Sequence, residues 1–170
     1  MSSSENAKLI IDIKDYGAIT VELDAEAAPI TVANFLKLTD QGFYDGLTFH
    51  RIISGFMIQG GDPLGNGMGG SDENIKGEFA ANGVRNPISH KRGVISMARA
   101  MDPNSASSQF FIMHENAPYL DGQYAAFGYV TSGIEVVDKI CENVPVIDRN
   151  GTVLKNDQPV IESIKRVQEN

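Results

Sequence analysis

Cysteine is nearly absent from this chain: with Cys141 alone among 170 residues, no internal disulfide can close. Cys141 falls in the apolar-patterned stretch GIEVVDKICE, so a buried structural thiol is expected and redox chemistry is not. Basic residues are also few, 14 Lys and Arg against 22 Asp and Glu, for a formal net charge of -8. A nucleic-acid or anionic-membrane surface needs a basic stripe that this composition does not supply. The opening MSSSENAK is polar and contains no apolar run, so neither a secretory signal nor a membrane span is expected. These absences describe a well-hydrated cytoplasmic protein, expected to be a monomer, that meets neither nucleic acid nor membrane.

Metal and nucleophile patterns are missing as well. His50, His90 and His114 stand far apart and none sits in an H-x-x-x-H setting, so no metal and no cofactor is expected. Ser107 and Ser108 lack the G-x-S-x-G elbow of a serine hydrolase. Gly65, Gly67 and Gly70 do match a G-x-G-x-x-G spacing. The residues that follow, SDENIKGEF, carry no helical pattern, so no helix N-terminus is available to face a pyrophosphate. Those glycines read instead as tight turns with positive φ. Asn150, Gly151 and Thr152 form a glycosylation sequon by pattern only.

What is present suits one compact domain, because 170 residues at 42% hydrophobic can bury one sizeable core. Its expected extent is residues 8 to 170, preceded by a flexible segment over residues 1 to 7. Residues 8 to 14 and 17 to 23 alternate apolar and polar around Asp15, Tyr16 and Gly17, which predicts a β-hairpin. A helix is predicted next, with Pro29 near its start, Val32, Phe35, Leu36 and Leu38 at helical spacing, and Gly42 as its stop. Strands are predicted within 47 to 61, 93 to 99, 109 to 114, 126 to 131 and 159 to 168. A second helix is predicted over 134 to 142, with Ile134, Val137 and Ile140 on its buried face. The glycine-rich stretch from Asp62 to Arg92 reads as a surface loop. Short strands with only two helices point to a mostly β protein, a closed antiparallel barrel capped at its ends.

The most informative string is FHRIISGFMIQGGD, residues 49 to 62, which sets one cation, Arg51, among apolar strand-forming residues. Period-two alternation about a turn at Ser54 and Gly55 would put Phe49, Arg51 and Ile53 on one face, and Met57 with Gln59 on one face of the next strand. SMARAMDPNSASSQFFI adds Gln109 and Phe111, and YLDGQYAAFGYV adds Tyr119, Leu120 and Tyr124. Taken singly, each apolar residue here reads equally well as ordinary core. Together, and in this order, the strings resemble the cyclophilins, the peptidyl-prolyl cis-trans isomerases, from about residue 8 to about residue 168.

The resemblance implies an eight-stranded barrel and an isomerase of X-Pro peptide bonds, with proline-containing peptides and unfolded or folded proteins as partners. It implies Arg51 as the catalytic residue and Phe56, Met57, Phe111 and Leu120 as the socket for the proline ring. Gln59 and the backbone at Ala98 and Arg99 would anchor the peptide, while Gln109 is open between holding a loop and holding the substrate. A non-catalytic proline-binding module is the rival reading, and a barrel holding a small apolar ligand is a third. Tyr119 and Tyr124 are implied to line the substrate pocket too, and three of the pocket positions depart from the family's usual pattern: Tyr119 stands for tryptophan, Tyr124 for histidine and Arg99 for asparagine. Catalysis is expected to survive these changes. Cyclosporin, the family's inhibitor, is expected to bind with weakened affinity, because a phenol stacks less area than an indole.

Overall fold

A computed structural model of the chain describes residues 7–167. The predicted hairpin forms from β1 (Lys8–Ile13) and β2 (Gly17–Leu23), paired antiparallel from Lys8 with Glu22 to Ile13 with Gly17. Alternation sends Leu9, Ile11, Ile13, Ile19, Val21 and Leu23 into the core. The helix α1 (Pro29–Asp40) begins with Pro29 in its first turn, where a missing N–H costs nothing, and buries Val32, Phe35 and Leu38. The remaining strands are β3 (Phe49–Ile53), β4 (Met57–Gly60), β5 (Val94–Met97), β6 (Phe110–Met113), β7 (Ala126–Ser132) and β8 (Ile161–Arg166). The second helix, α2 (Ile134–Asn143), buries Val136, Val137 and Ile140; Val136 takes the place expected of Ile134, which is half-buried. The expected flexible segment lies outside the described residues except for Ala7, whose carbonyl accepts from the Leu23 N–H at 2.8 Å.

The eight strands form one antiparallel sheet in the order β3-β4-β6-β5-β7-β2-β1-β8. The sheet does not close into the expected barrel: it is a strongly curled, open half-barrel with β3 and β8 at its edges. Curling brings those edges together at a single bridge, Thr48 with Val160. Closure goes no further because other chain satisfies the outer edge of β3. The Ile52 N–H donates to the Gly151 carbonyl (2.8 Å), and the Val153 N–H donates to the His50 carbonyl (3.1 Å). An edge paired in this way offers no open ladder to β8 or to another chain.

The concave interior is filled by side chains, with Phe35 against Tyr44, Phe110 and Phe127 at centroid distances of 4.8, 5.4 and 5.1 Å. A filled interior leaves no room for the ligand-carrying barrel of the third reading. The outer faces of β4, β5 and β6 are also covered, by a second cluster that contains Met57, Val94, Phe111, Met113 and Leu120. A face that would otherwise be wet is thus apolar at the centre of the sheet, and the candidate site lies on it.

Candidate active site

The β3–β4 ladder departs from simple alternation. Phe49 pairs with Gly60 and Arg51 with Gln59, so His50 is an extra residue, a β-bulge. The bulge sends Phe49 into the core, fully buried, while Arg51 and Ile53 stay on the outer face. The expectation that Phe49, Arg51 and Ile53 share a face is therefore wrong for Phe49. Gly60 permits the arrangement: a Cβ there would stand 2.6 Å from the Thr48 carbonyl and 2.8 Å from the Phe49 ring. Arg51 and Gln59 end up directly opposite each other, with Met57 beside Gln59 on the same face.

These residues open onto a pocket of about 200 Å³. Its polar side is Arg51, Gln59 and Arg99; its apolar side is Phe56, Met57, Phe111 and Leu120, with Ala98 and Tyr124 completing the wall. The volume is below the roughly 300 to 1,000 Å³ of sites for drug-sized ligands, and suits one side chain rather than a cofactor. Met57 and Phe111 come from β4 and β6, Ala98 and Arg99 from the exit of β5, and Leu120 and Tyr124 from the loop before β7. Phe111 meets Tyr124 edge-on at 5.8 Å.

Arg51 is held from two sides. Its Nε donates to the Asn150 carbonyl (2.8 Å), Nη2 to Asn150 Oδ1 (3.1 Å) and Nη1 to Gln59 Oε1 (3.1 Å). Three of the five N–H groups of a guanidinium are thereby engaged, which leaves one on Nη1 and one on Nη2. Gln59 Nε2 donates in turn to Gln109 Oε1 (2.9 Å), and Gln109 Nε2 donates to the Gly69 and Gly67 carbonyls (2.8 and 3.1 Å). Gln109 thus holds a loop, and it lies outside the proline pocket, in the wall of an adjoining depression of about 330 Å³ that shares Gln59, Ala98 and Arg99 with it. That loop is organised by Asp62, whose carboxylate accepts the N–H groups of Leu64, Asn66 and Gly67. Burial raises the Asp62 carboxyl, but these donors and Gly69 outweigh burial and hold it below the usual carboxylate range. Gly65 and Gly67 take the expected positive φ, +68° and +90°; Gly70 does not, and is small because a Cβ would meet Ser107 Oγ at 2.2 Å.

Two further placements differ from expectation. Tyr119 does not line the pocket: it is 72% exposed on the rim, stacked on Phe56 at 6.2 Å. Arg99, expected to act through its backbone, braces the rim with its side chain. Its guanidinium lies 4.8 Å over the Phe79 ring and 4.9 Å over that of Tyr124, and donates to the carbonyls of Gln123, Ala100 and Met101.

The sequence reading missed Asn150 and His90. Asn150 was only part of a sequon pattern, yet the turn it occupies is tied to β3: Asp148 Oδ1 accepts the Thr152 N–H (3.0 Å), and a Cβ on Gly151 (φ +83°) would stand 2.6 Å from the Ile52 carbonyl. No local signal marks a partner 99 residues from Arg51. His90 is buried and stacks on Phe111 at 6.0 Å. Its Nδ1 lies 2.9 Å from the Asp121 carboxylate and its Nε2 2.8 Å from Ser96 Oγ. A carboxylate only accepts, so Nδ1 donates to Asp121, and the neutral ring accepts the Ser96 hydroxyl at Nε2. Asp121 adjoins Leu120, so this chain of bonds fixes the pocket from below.

Burial pushes the His90 imidazole below its ordinary value of 6.5, against the pull of Asp121. Burial also lowers His50, opposed by Asp62 and assisted by Arg51. Both rings bind a proton more readily in the unfolded chain, so the stability they contribute is complete above pH 6.5 and is lost as pH falls through their folded values. The melting temperature is expected to drop between pH 7 and pH 5, and by less in His90→Gln; an equal drop in both proteins would remove His90 as a cause.

Cys141, expected to be buried, is half-buried; that partial burial, with Asp138 nearby, pushes its thiol up to about 12, which leaves almost no thiolate near neutral pH. Among the described residues no group of three or more His, Cys, Asp or Glu could hold a metal ion.

Residues 8–166 match the family described as cyclophilin type peptidyl-prolyl cis-trans isomerase/CLD. Peptidyl-prolyl cis-trans isomerase B of Bacillus subtilis is 48% identical over 143 residues, covering 84% of this chain and 91% of that protein. The cypE peptidyl-prolyl cis-trans isomerase of Dictyostelium discoideum is 43% identical over 147 residues, 86% of each chain. A crystal structure of a Cryptosporidium parvum cyclophilin type isomerase in the presence of the dipeptide Ala-Pro superposes with a TM-score of 0.83 at 34% identity, over 95% of this chain and 99% of that one. With the family spanning nearly the whole chain and the fold shared end to end, the protein belongs to the cyclophilin-type peptidyl-prolyl cis-trans isomerases.

Proposed function

We propose that the pocket receives the proline of an X-Pro segment and that Arg51 is the catalytic residue, lowering the barrier to rotation about the prolyl amide. Resonance gives a peptide C–N bond a rotational barrier of about 18 to 20 kcal/mol. Unaided X-Pro exchange takes roughly tens to hundreds of seconds. As the amide twists, conjugation is lost and the nitrogen becomes pyramidal with a lone pair. A donor aimed at that nitrogen binds the twisted state better than either planar state.

The observation that carries this reading is the clamped guanidinium at the mouth of an apolar pocket, with one free N–H on each terminal nitrogen. Gln59 and Asn150 fix its plane, so little reorganisation accompanies the reaction, and the two free donors suit the prolyl nitrogen and a neighbouring carbonyl. Phe56, Met57, Phe111 and Leu120 hold a ring that has no hydrogen-bond donor to satisfy. Removing about 7 kcal/mol from the barrier corresponds to roughly a 10⁵-fold acceleration. NMR exchange spectroscopy on a short Ala-Pro peptide is the test. Accelerated exchange is expected, and an unaided rate with folded, peptide-bound protein would leave only the non-catalytic binding module.

The same reading makes the protein a cytoplasmic monomer that acts on proline-containing segments of unfolded and folded polypeptides, without metal, cofactor, nucleic acid or membrane. The net charge of -8 supports the absence of nucleic-acid and anionic-membrane partners. Cyclosporin would bind over the rim that carries Tyr119. Inhibition is expected to be about tenfold or more weaker than for Tyr119→Trp, the scale of one aromatic contact with its hydrogen bond. Equal inhibition constants would show that the rim aromatic does not set sensitivity.

A further inference from the structure

Arg51 and Gln59 also line a second depression of about 620 Å³, which runs on from the proline pocket over residues 64 to 67 and 150 to 158. Its charge is the reverse of the chain's. In a protein of net charge -8, its wall holds two cations, Arg51 and Lys155, and no carboxylate. The nearest acidic groups in sequence are Asp62 and Asp148, turned onto backbone N–H groups of their own loops, and the exposed Asp157, outside the wall. Among the described residues Lys155 is in no ion pair.

Beside the two cations, the wall carries two asparagine amides, Asn66 and Asn150. Asn150 and Asn66 use Oδ1 to accept, from Arg51 and from the Met68 N–H, and among the described residues their amide N–H groups have no protein acceptor. Leu64 and Leu154, 57% and 53% exposed, flank these donors with apolar surface. Free N–H donors, two positive charges and an apolar frame match a carboxylate on a short aliphatic stem. A lysine side chain would meet two like charges and no carboxylate.

We propose that this groove selects an acidic residue, Asp or Glu, in the flank of the client peptide that crosses Arg51 on leaving the proline pocket. The inference rests on the proline-pocket reading above and assigns the groove a sequence preference. Because Arg51 is shared by pocket and groove, the acidic side chain is read beside the rotating amide, and Lys155 is the residue that distinguishes charge.

The test uses Ala-Pro peptides with Glu, Gln or Lys placed two residues before the proline or two residues after it. Affinity and exchange rate are both read by NMR. In one of the two series, Glu is expected to bind about two- to fivefold more tightly than Lys, with Gln between, the range of a partly exposed ion pair. Salt near 1 M, where the screening length falls to about 3 Å, should abolish the difference. In Lys155→Glu the Glu-to-Lys affinity ratio should fall to one or below, and in Lys155→Gln it should shrink. No preference in either series, or a ratio unchanged in Lys155→Glu, would overturn the proposal. A preference for Glu among peptides that bind without accelerated exchange would keep the groove and overturn the isomerase mechanism instead.

Discussion

Arg51→Ala is expected to slow isomerisation of a saturating Ala-Pro peptide by at least about a hundredfold while the protein stays folded. A preorganised donor aimed at developing charge is typically worth roughly 2.7 to 4 kcal/mol, which sets that scale. Truncation removes the two free N–H groups that face the pocket, yet Arg51 is only half-buried, and the Asn150 and Gln59 groups it leaves can turn to water. Arg51→Lys should recover little. An ammonium keeps the charge but cannot donate in one plane to Asn150, Gln59 and the substrate together. Asn150→Ala gives an intermediate case, since it deletes the Nη2 bond and leaves the backbone acceptor for Nε. Measured by NMR exchange, with circular dichroism to verify folding, a near-normal rate for Arg51→Ala would falsify the arginine mechanism and leave desolvation in the apolar socket as the source of rate.

Phe111→Ala should act differently, through binding and stability. Phe111 is 5% exposed, stands at the centre of the apolar wall, and packs between His90 and the edge of Tyr124. Deleting a buried ring costs about 3 to 5 kcal/mol. At roughly 2 to 4 °C per kcal/mol for a chain of this size, the melting temperature should fall by about 6 to 20 °C. Peptide affinity should fall as well, because the socket loses one wall. Phe111→Leu, which keeps most of the volume, separates the two effects: it should melt nearer to the parent yet still bind proline peptides more weakly. Parent-like affinity in a folded Phe111→Leu would place the proline ring elsewhere.

Much of the scaffold was legible because its elements advertise themselves locally. The β1–β2 hairpin follows from strict alternation either side of Asp15 to Gly17. Helix α1 follows from Pro29 at its start and Val32, Phe35 and Leu38 at helical spacing. The pocket's apolar residues were legible through motif resemblance. Periodicity alone could not separate Phe111 from Phe110, adjacent residues of β6 that are both buried, one under the pocket and one in the interior. Both faces of that strand are covered, so the burial contrast that distinguishes faces is missing.

Other features depend on neighbours that no local window contains. The bulge at His50 follows from Gly60 letting Phe49 cross the ladder, and it reverses the face that simple alternation assigns to Phe49. Motif resemblance puts Tyr119 at the pocket, but only packing on Phe56 decides that it stands out on the rim. The sheet stays unclosed beyond the Thr48–Val160 bridge because Gly151 and Val153 take the β3 backbone groups that β8 would need.

By itself, then, the sequence determined the strands, the two helices, the family and the cation to which the proposed chemistry is assigned, since each is written in periodicity or in motifs a few residues long. Tertiary structure alone decided how that cation is held, by Gln59 across the ladder and by Asn150 from a turn 99 residues away, and which two of its donors remain free. A hydrogen bond between distant segments leaves no period in the chain; it exists only once the curled sheet has brought its donors and acceptors to within about 3 Å of one another.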